Sequence, residues 1–211
     1  MLMNLYMTPG SCTTGIHILL ETLLEEFDLI FQVTVVNLME GDQHKPEFLA
    51  INPKATIPVL VRTDGSALTD FQAIAWWLAK EYPKACLLPT DVDGEIKVLE
   101  IMNYIVGTLH MQGFARIFTV DKFTLNENDY EWVKQQGRDI VDKGFLYIDS
   151  QLSDEGFVTE LFSIADAALF YVEFWADRIG IELPDRCRAH YEKMIQRSAV
   201  KQVLSEEGYR V

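Results

Sequence analysis

The sequence is an acidic chain of 211 residues, of which 49% are hydrophobic and 24% are charged. That length and composition suit one or two globular domains with an ample core. Its 18 Lys and Arg against 32 Asp and Glu give a formal net charge of −14. We therefore expect neither nucleic acid nor a membrane as a partner, because phosphate groups attract basic surfaces.

The first third of the chain predicts a mixed α/β domain. Residues 4–7 form a short apolar stretch that ends at a Pro-Gly turn, and apolar residues then recur at helical spacing from Ile16 to Leu24. Residues 29–37 are rich in β-branched side chains and predict a second strand. A strand, a helix and a strand in this order imply a right-handed crossover between parallel strands.

The elements that follow complete this domain. Residues 40–51 predict a polar loop and then a short helix. Pro58 comes directly before an apolar strand, which an Asp-Gly turn joins to a second short strand at 66–68. Asp70 then begins a helix that ends before Pro83. This order of elements is that of a thioredoxin-like domain.

The rest of the chain predicts helices. Two prolines and the lack of a hydrophobic period indicate a linker at residues 83–92, so the expected domains are 1–82 and 93–211. Ser163 and Asp166 fit a capping box ahead of an apolar helix. The sequence thus predicts an α/β thioredoxin-like N-terminal domain and an all-α C-terminal domain. The expected helices are 93–114, 126–152, 163–179, 184–198 and 199–205.

Targeting and cysteine patterns indicate a cytoplasmic protein. The first residues lack the basic region, apolar stretch and cleavage site of a secretory signal. No apolar run approaches the roughly 20 residues of a membrane span. Cys12, Cys86 and Cys187 show neither metal-ligand nor dithiol spacing. We therefore expect free thiols and no metal.

Two interpretations of the residues around Pro58 stay open. A proline at this position leaves the N–H and C=O groups of Ile57 outside strand pairing. They would then be available to an extended peptide laid alongside. An ordinary edge strand that begins with a proline would give the same pattern.

Cys12 is the first candidate for chemistry, because it directly precedes the first predicted helix. Helix N-termini lower the pKa of a cysteine from about 8.5 to about 3.5–7.5, so we expect Cys12 to favour the thiolate. The alternative is a buried structural thiol, which packs as a small hydrophobe. Ser11 is a rival activator of a bound thiol, although a serine at this position would equally cap the helix.

Three segments together resemble the glutathione-binding half of glutathione transferases, most closely the bacterial beta class. They are Pro-Gly-Ser-Cys at residues 9–12, Asn-Pro-Lys at 52–54 and Leu-Thr-Asp-x-x-Ala-Ile at 68–74. The Ser-Ile-Ala-Asp box at 163–166 is similar to one in the family's helical domain, so the resemblance covers nearly the whole chain. It implies a homodimer that uses glutathione as co-substrate and either conjugates it to a small hydrophobic electrophile or performs thiol–disulfide chemistry.

The resemblance also implies roles for residues of the first domain. It implies that Ile57 and Pro58 bind the glutathione backbone and that Cys12 faces the sulfur. It assigns Asp70 to the γ-glutamyl ammonium and the backbone N–H of Phe71 to the γ-glutamyl carboxylate. The family commonly has a small residue where this chain has Phe71. The nearest basic candidates for the glycyl carboxylate are Lys54 and Lys45.

Residues 103–110 resemble a beta-class stretch whose histidine faces the ligand, which implies a catalytic role for His110. The family usually places a lysine directly after this histidine; this chain has Met111 there, and Arg116 is the nearby substitute. A lone histidine on an apolar helix is equally well a structural residue. Asn103 is implied to reach the ligand across a dimer interface.

Other aromatic and histidine side chains complete the expectations. Tyr6 and His17 are expected to be structural. The second substrate would lie against helical-domain residues such as Phe114, Phe118 and Trp175. The departures at Phe71 and after His110 motivate an alternative function, a transferase-like fold that is a non-catalytic protein-interaction module.

Overall fold

The computed structural model describes residues 2–27 and 29–210. They fall into two compact units. The first consists of Met1–Leu87 together with Met194–Val211, and the second is Leu88–Lys193. The domain boundaries expected from the sequence stay a prediction.

The first unit begins with the expected parallel crossover. Strand β1 (Met3–Met7) leads into helix α1 (Thr13–Phe27), and strand β2 (Phe31–Val35) then pairs in parallel with β1. β2 is shorter than the stretch 29–37 that the β-branched residues predicted. The physical reason is the length of its partner, because β1 offers only five residues to the ladder.

Short helical turns replace the predicted loop after β2. Residues Leu38–Glu40 and Asp42–His44 each form a single 3-10 turn. The Asn37 side chain accepts hydrogen bonds from two backbone N–H groups of the first turn, a local contact that periodicity does not reveal. Helix α2 (Pro46–Leu49) follows, with its proline in the first turn as expected.

The hairpin and the last helix of this domain agree with the sequence, but the edge-strand interpretation is wrong. Strands β3 (Val59–Val61) and β4 (Ala67–Leu68) pair antiparallel, and helix α3 (Phe71–Glu81) follows. The sheet order is β2-β1-β3-β4, so β3 is an inner strand. Pro58 precedes its first paired residue, where no donor is needed. The Ile57–Pro58 peptide bond is cis.

The second unit is helical. Helix α4 (Val92–Tyr104) continues through a π-helical segment, Ile105–Phe114, into α5 (Ala115–Phe118). The expected helix 93–114 therefore extends to Phe118 and widens in its second half. The remaining helices of this part of the chain are α6 (Tyr130–Gln151), α7 (Ile164–Arg178) and α8 (Asp185–Gln196).

Glycines allow α6 to approach the π-helical segment closely. A Cβ atom on Gly137 would lie 2.7 Å from the carbonyl oxygen of Gly113. A Cβ atom on Gly144 would lie 2.5 Å from Cδ1 of Leu109. Because real Cβ contacts are longer than this, a side chain at either position would push the helices apart.

Helix α7 is the buried centre of the second unit, and the predicted capping box is confirmed. The Ser163 N–H donates to Oδ2 of Asp166 at 2.7 Å, and the reciprocal contact of the box is present. All but three residues of α7 are buried, which explains its continuous apolar sequence.

The last helix, α9 (Ser198–Glu206), belongs to the first unit and packs against α1. Its buried face is apolar, as expected for a helix that covers a core. Within residues 2–27 and 29–210, no helix is long and apolar enough to cross a membrane.

Candidate active site

The Cys12 turn lies between β1 and α1 and faces the segment before β3. The Ser11 N–H donates to the Thr8 carbonyl at 3.1 Å, which closes the turn. The Cys12 thiol points to the Ile57 carbonyl oxygen, with the sulfur 4.0 Å away. The structure therefore brings two of the predicted site residues, Cys12 and Ile57, together.

The expected thiolate at Cys12 is contradicted by its surroundings. Burial raises the pKa of the Cys12 thiol to about 12, although hydrogen bonds from its own backbone and from Thr13 act in the opposite direction. The negative charge of Asp70 raises it further. The cost of moving a thiolate out of water raises the pKa more than the N-terminus of the helix lowers it. Cys12 is therefore a neutral S–H donor at pH 7.

Ser11 has the capping geometry that the sequence left open. Its hydroxyl oxygen accepts a hydrogen bond from the Thr13 N–H at 3.1 Å and donates one to the Thr13 hydroxyl at 3.0 Å. One of the first N–H groups of α1 is thereby satisfied. A role for Ser11 in activating a bound thiol stays a prediction.

The segment that carries Ile57 and Pro58 is held in shape by Asn52, which sequence reasoning passed over. Asn52 is buried, and its Oδ1 atom accepts from the Lys54 N–H at 3.2 Å. Its Nδ2 atom donates to the Thr56 carbonyl at 2.8 Å. An asparagine followed by proline is typical of such side-chain turns, so the signal was present in the sequence. Asn52 thus positions the peptide group of Ile57.

Asp70 precedes α3 but does not cap it with its side chain. Within the described residues, no N-cap hydrogen bond from the Asp70 carboxylate is present. Its Oδ1 atom instead lies 3.1 Å from Nζ of Lys54, and both side chains are about half exposed. The carboxylate is therefore accessible from solvent. Phe71 is buried, which keeps the bulk of its side chain in the core and away from the solvent-facing backbone.

The other basic candidate, Lys45, also has an acidic neighbour. Its Nζ atom lies 2.5 Å from Oδ1 of Asp42. Lys45 and Asp42 line a surface depression together with apolar residues such as Tyr6 and Phe48. Tyr6 packs edge-on against Phe48, with ring centroids 5.9 Å apart. Tyr6 is thus part of a small apolar cluster, as expected.

The second unit holds the remaining predicted site residues, Asn103 and His110. Nδ1 of His110 lies 3.3 Å from the Tyr171 hydroxyl, and its ring centroid lies 4.9 Å from that of Trp175. Burial lowers the pKa of His110 to about 4, so the ring is neutral at pH 7. Asn103 lies on α4, where it lines a surface groove with Tyr104 and Tyr147.

The aromatic residues expected near a second substrate form one cluster in this unit. The ring centroids of Phe114 and Phe118 lie 5.7 Å apart, and that of Trp175 lies 5.4 and 5.5 Å from these two. Phe118 is 47% exposed. The Arg116 side chain donates to the Gln112 carbonyl at 2.6 Å.

His17 lies on α1, where its buried side chain faces the residues that follow α9. Its Nδ1 atom lies 3.0 Å from Oε1 of Glu207, a contact across 190 residues of sequence. The structural role expected for His17 is consistent with this contact. The glutamate partner was missed, because nothing in the local sequence links the two positions.

A thioredoxin-like sheet unit with Cys12 at the first helix, combined with a helical unit, is the architecture of glutathione-dependent transferases. Residues 20–81 match the family described as glutathione S-transferase, N-terminal domain. Residues 130–193 match the family described as glutathione S-transferase, C-terminal domain. Both halves of the chain therefore match the same class of enzyme.

Individual relatives agree. Glutathione S-transferase GstA of Escherichia coli O157:H7 is 32% identical over 213 residues, which cover 99% of this chain and 100% of that protein. A glutathione transferase homolog from Sulfitobacter, solved with bound glutathione, is 27% identical with a TM-score of 0.87 and covers 97% of this chain and 98% of its own. The chain belongs to the glutathione S-transferase family, and it is a transferase.

A solved beta-class enzyme shares the fold. The Sphingomonas chungbukensis glutathione S-transferase has a TM-score of 0.82 at 24% identity, over 98% of this chain and 100% of that one. The expected fold class is confirmed. These relatives favour the enzyme over the non-catalytic alternative.

Proposed function

We propose that this transferase is a cytoplasmic, beta-class-like homodimer that conjugates glutathione to small hydrophobic electrophiles and thereby contributes to detoxification. The observation that carries the proposal is the contact between the Cys12 thiol and the Ile57 carbonyl. The relative solved with bound glutathione supports the choice of co-substrate.

Glutathione would lie as an extended peptide along Ile57 and Pro58. The Ile57 peptide group is outside the ladder, because Val59 is the first paired residue of β3. The N–H of the central cysteine of glutathione would donate to the Ile57 carbonyl, as in strand addition. The thiol of Cys12 now points at that same carbonyl. Once glutathione takes the carbonyl, the Cys12 S–H is available to the neighbouring glutathione sulfur.

The γ-glutamyl end of glutathione would be bound at the start of α3. The exposed Asp70 carboxylate would pair with its ammonium, which is a charge-assisted contact. The N–H groups at the first turn of α3, beginning with that of Phe71, would bind its carboxylate. In the protein without glutathione, Lys54 forms an ion pair with Asp70. When glutathione binds, Lys54 would leave Asp70 and pair with the glycyl carboxylate instead.

Cys12 would act as a hydrogen-bond donor rather than as a nucleophile. Because burial raises the pKa of its thiol, Cys12 keeps its proton. An S–H donor stabilises the glutathione thiolate and so lowers the pKa of glutathione. The glutathione proton goes to solvent, its sulfur forms a C–S bond, and the leaving group departs with the electron pair of the broken bond. Mixed-disulfide chemistry at Cys12 would require the thiolate, which its surroundings disfavour.

The second unit would supply the electrophile site and the dimer contact. Phe114, Phe118 and Trp175 offer aromatic surface to a small apolar molecule. His110, neutral and bonded to Tyr171, would orient the ligand without carrying a charge. Asn103 would contribute from the partner subunit.

Substitutions at Cys12 and Ser11 test the proposal. A hydrogen bond to a charged group contributes about 1.5–3 kcal/mol, so Cys12→Ala should lower kcat/KM for an aryl halide roughly ten- to hundredfold. Cys12→Ser should restore part of the loss, because it keeps a donor. A matched Cys86→Ala variant, which removes an exposed thiol, should conjugate normally. Full activity of Cys12→Ala together with a loss in Ser11→Ala would move the role to the hydroxyl.

A further inference from the structure

A polar cluster joins α1 to α9 within the first unit, on residues that the proposed glutathione site does not use. His17 and Glu21 lie one turn apart on α1, so they share a face of the helix. Glu206, the last residue of α9, reaches the same place. One donor atom from each of these three residues lies within 4.8 Å of the other two.

The orientation of His17 is fixed from its other side by Glu207. Oε1 of Glu207 lies 3.0 Å from Nδ1 of His17, and both side chains are only 2% exposed. Oε2 of Glu207 accepts hydrogen bonds from the Gly10 N–H and from the Thr14 hydroxyl, each at 2.7 Å. A carboxylate held in this way accepts the Nδ1 proton and leaves the lone pair on Nε2. This is the outer arrangement that metal-binding histidines show in proteins.

Nε2 of His17 is the atom left without a hydrogen bond. It is buried, and within the described residues it has no hydrogen-bond partner. Oε2 of Glu206 lies 3.2 Å away, but the contact is an approach of two atoms and not a directed hydrogen bond. A buried polar atom in this condition calls for a partner. Glu206, and with it Glu21 from the same group of three, lies on the side of Nε2.

We infer that His17, Glu21 and Glu206 bind one divalent transition-metal ion, with Zn²⁺ the best fit. One imidazole nitrogen with two carboxylate oxygens is a donor set that suits Zn²⁺. Donors about 2.0–2.2 Å from one ion lie at most about 4.4 Å apart. The observed spread of 4.8 Å therefore closes with a small side-chain rotation. Glu206 is 42% exposed, and its other oxygen, Oε1, accepts a hydrogen bond from Gln202 at 2.6 Å, so the rotation would have to keep or exchange that contact. A water would complete the site from the solvent side.

The electrostatics of the cluster agree with a cation. The carboxylates of Glu21 and Glu206 lie close to each other beside His17. Two carboxylates that oppose each other in this way gain from a shared positive ion. Cysteine and histidine spacing did not reveal the set, because its members come from opposite ends of the sequence. The expectation of no metal stays a prediction, and the proposed site is the alternative to it.

The ion would fasten the C-terminal helix to the turn that carries the chemistry. Glu207 links His17 to the backbone of Gly10, two residues before Cys12. The site is thus structural, and its occupancy would restrain α9 and the Cys12 turn together.

Titration calorimetry with ZnCl₂, in a Cys86→Ser background to remove the exposed thiol, tests the inference. We expect one equivalent to bind, and Glu206→Gln to weaken binding at least about tenfold, the lower limit for loss of a supporting residue at metal sites. The matched control is Glu26→Gln, which removes an exposed glutamate of the same unit and should bind as the parent does. Co²⁺ should give visible d–d absorption that Glu206→Gln loses, and Glu21→Gln should behave likewise.

Three results would overturn the site. Absence of saturable binding of either ion to the parent protein would mean that His17 is simply paired with its two glutamate neighbours. Equal weakening in Glu206→Gln and Glu26→Gln would mean non-specific attraction to an acidic surface. Retention of binding in Glu206→Gln, with loss on a further Cys12→Ser change, would place the ion on the thiol instead.

Discussion

Two ionisable groups that are largely withdrawn from water, one in each unit, reach opposite charge states at neutral pH. Cys12 in the first unit has only the negative charge of Asp70 acting on it among the described residues, and burial keeps it protonated and neutral. His190 in the second unit is fully buried, whereas Cys12 is half-buried, and His190 lies between two carboxylates. The comparison teaches that burial removes a charge unless an opposite charge is buried beside it.

The His190 cluster keeps a buried histidine charged by placing a carboxylate at each ring nitrogen. Its Nδ1 atom lies 2.8 Å from Oε2 of Glu173, and its Nε2 atom lies 3.3 Å from Oδ1 of Asp166. Burial by itself lowers the pKa of His190, but the two carboxylates outweigh it and raise the pKa to about 10. Asp166 also accepts the Ser163 N–H of the capping box, so the cluster fixes the start of α7.

Breaking the His190 cluster should give the largest effect. His190→Leu keeps an apolar volume but leaves Glu173 and Asp166 buried without a cation. Removal of one partner from a buried pair costs about 3–5 kcal/mol, and we expect the free energy of unfolding to fall by that amount. Denaturant unfolding measures it, with His44→Leu at an exposed position as the control. A loss below about 1 kcal/mol would mean that the cluster is not charged.

The pH dependence of stability sharpens the same point. The pKa of His190 is raised in the folded state, so its stabilisation is complete below the unfolded value of about 6.5 and is lost as the pH rises through 10. Burial also raises the pKa of Glu173 to about 7, which lowers stability as the pH rises from the unfolded value of about 4.3. The free energy of unfolding should therefore fall between pH 6.5 and 10.

A double variant serves as the control for this pH series. His190→Leu with Glu173→Leu removes both groups, and its free energy of unfolding should change less steeply with pH. Stability that rises with pH in the parent protein would contradict the charge assigned to His190.

The exposed carboxylate of Asp70 should contribute to glutathione binding but little to the stability of the fold. Asp70→Asn removes the carboxylate proposed to hold the γ-glutamyl ammonium, and glutathione affinity should fall about tenfold or more, since contacts to charged groups contribute about 1.5–3 kcal/mol. The pair with Lys54 is about half exposed, so Tm should barely change. Asp64→Asn, a charge removed from the hairpin turn of the same unit, is the matched control. Unchanged affinity would remove Asp70 from the proposed site.

The smallest effect is expected at His110. Because burial lowers its pKa to about 4, the ring should not titrate in the range of about pH 5–8. The pH profile of kcat/KM in His110→Gln should therefore run parallel to that of the parent, even if its level is lower. If the parent profile has an inflection near pH 6.5 that is absent from the variant profile, His110 carries a charge during turnover.

Sequence patterns predicted most of the fold, because its elements are set by local periodicity. The spacing from Ile16 to Leu24 and the capping box at Ser163 both correspond to observed elements. The π-helical segment Ile105–Phe114 was not predicted, and α6 approaches it closely at Gly137 and Gly144. Such packing lies outside any local window.

The sequence predicted where Cys12 lies in the fold but not its charge state. The motif around Cys12 indicated its place at the start of α1, and the helix end suggested a thiolate. The desolvation that reverses this comes from surrounding protein that no local motif encodes. Likewise, the sequence did not reveal the partner of Asp70, because Lys54 lies 16 residues earlier in the chain.

The pH dependence of Cys12 alkylation tests the central claim, that Cys12 is a neutral donor, most directly. In a Cys86→Ser background, the rate of modification of Cys12 by iodoacetamide is followed by mass spectrometry; Cys187 is buried and serves as an internal control. We expect the rate to keep rising without a plateau above about pH 8.5, the usual pKa of a cysteine thiol. A plateau reached between about pH 3.5 and 7.5 would show a thiolate at neutral pH and would contradict the account.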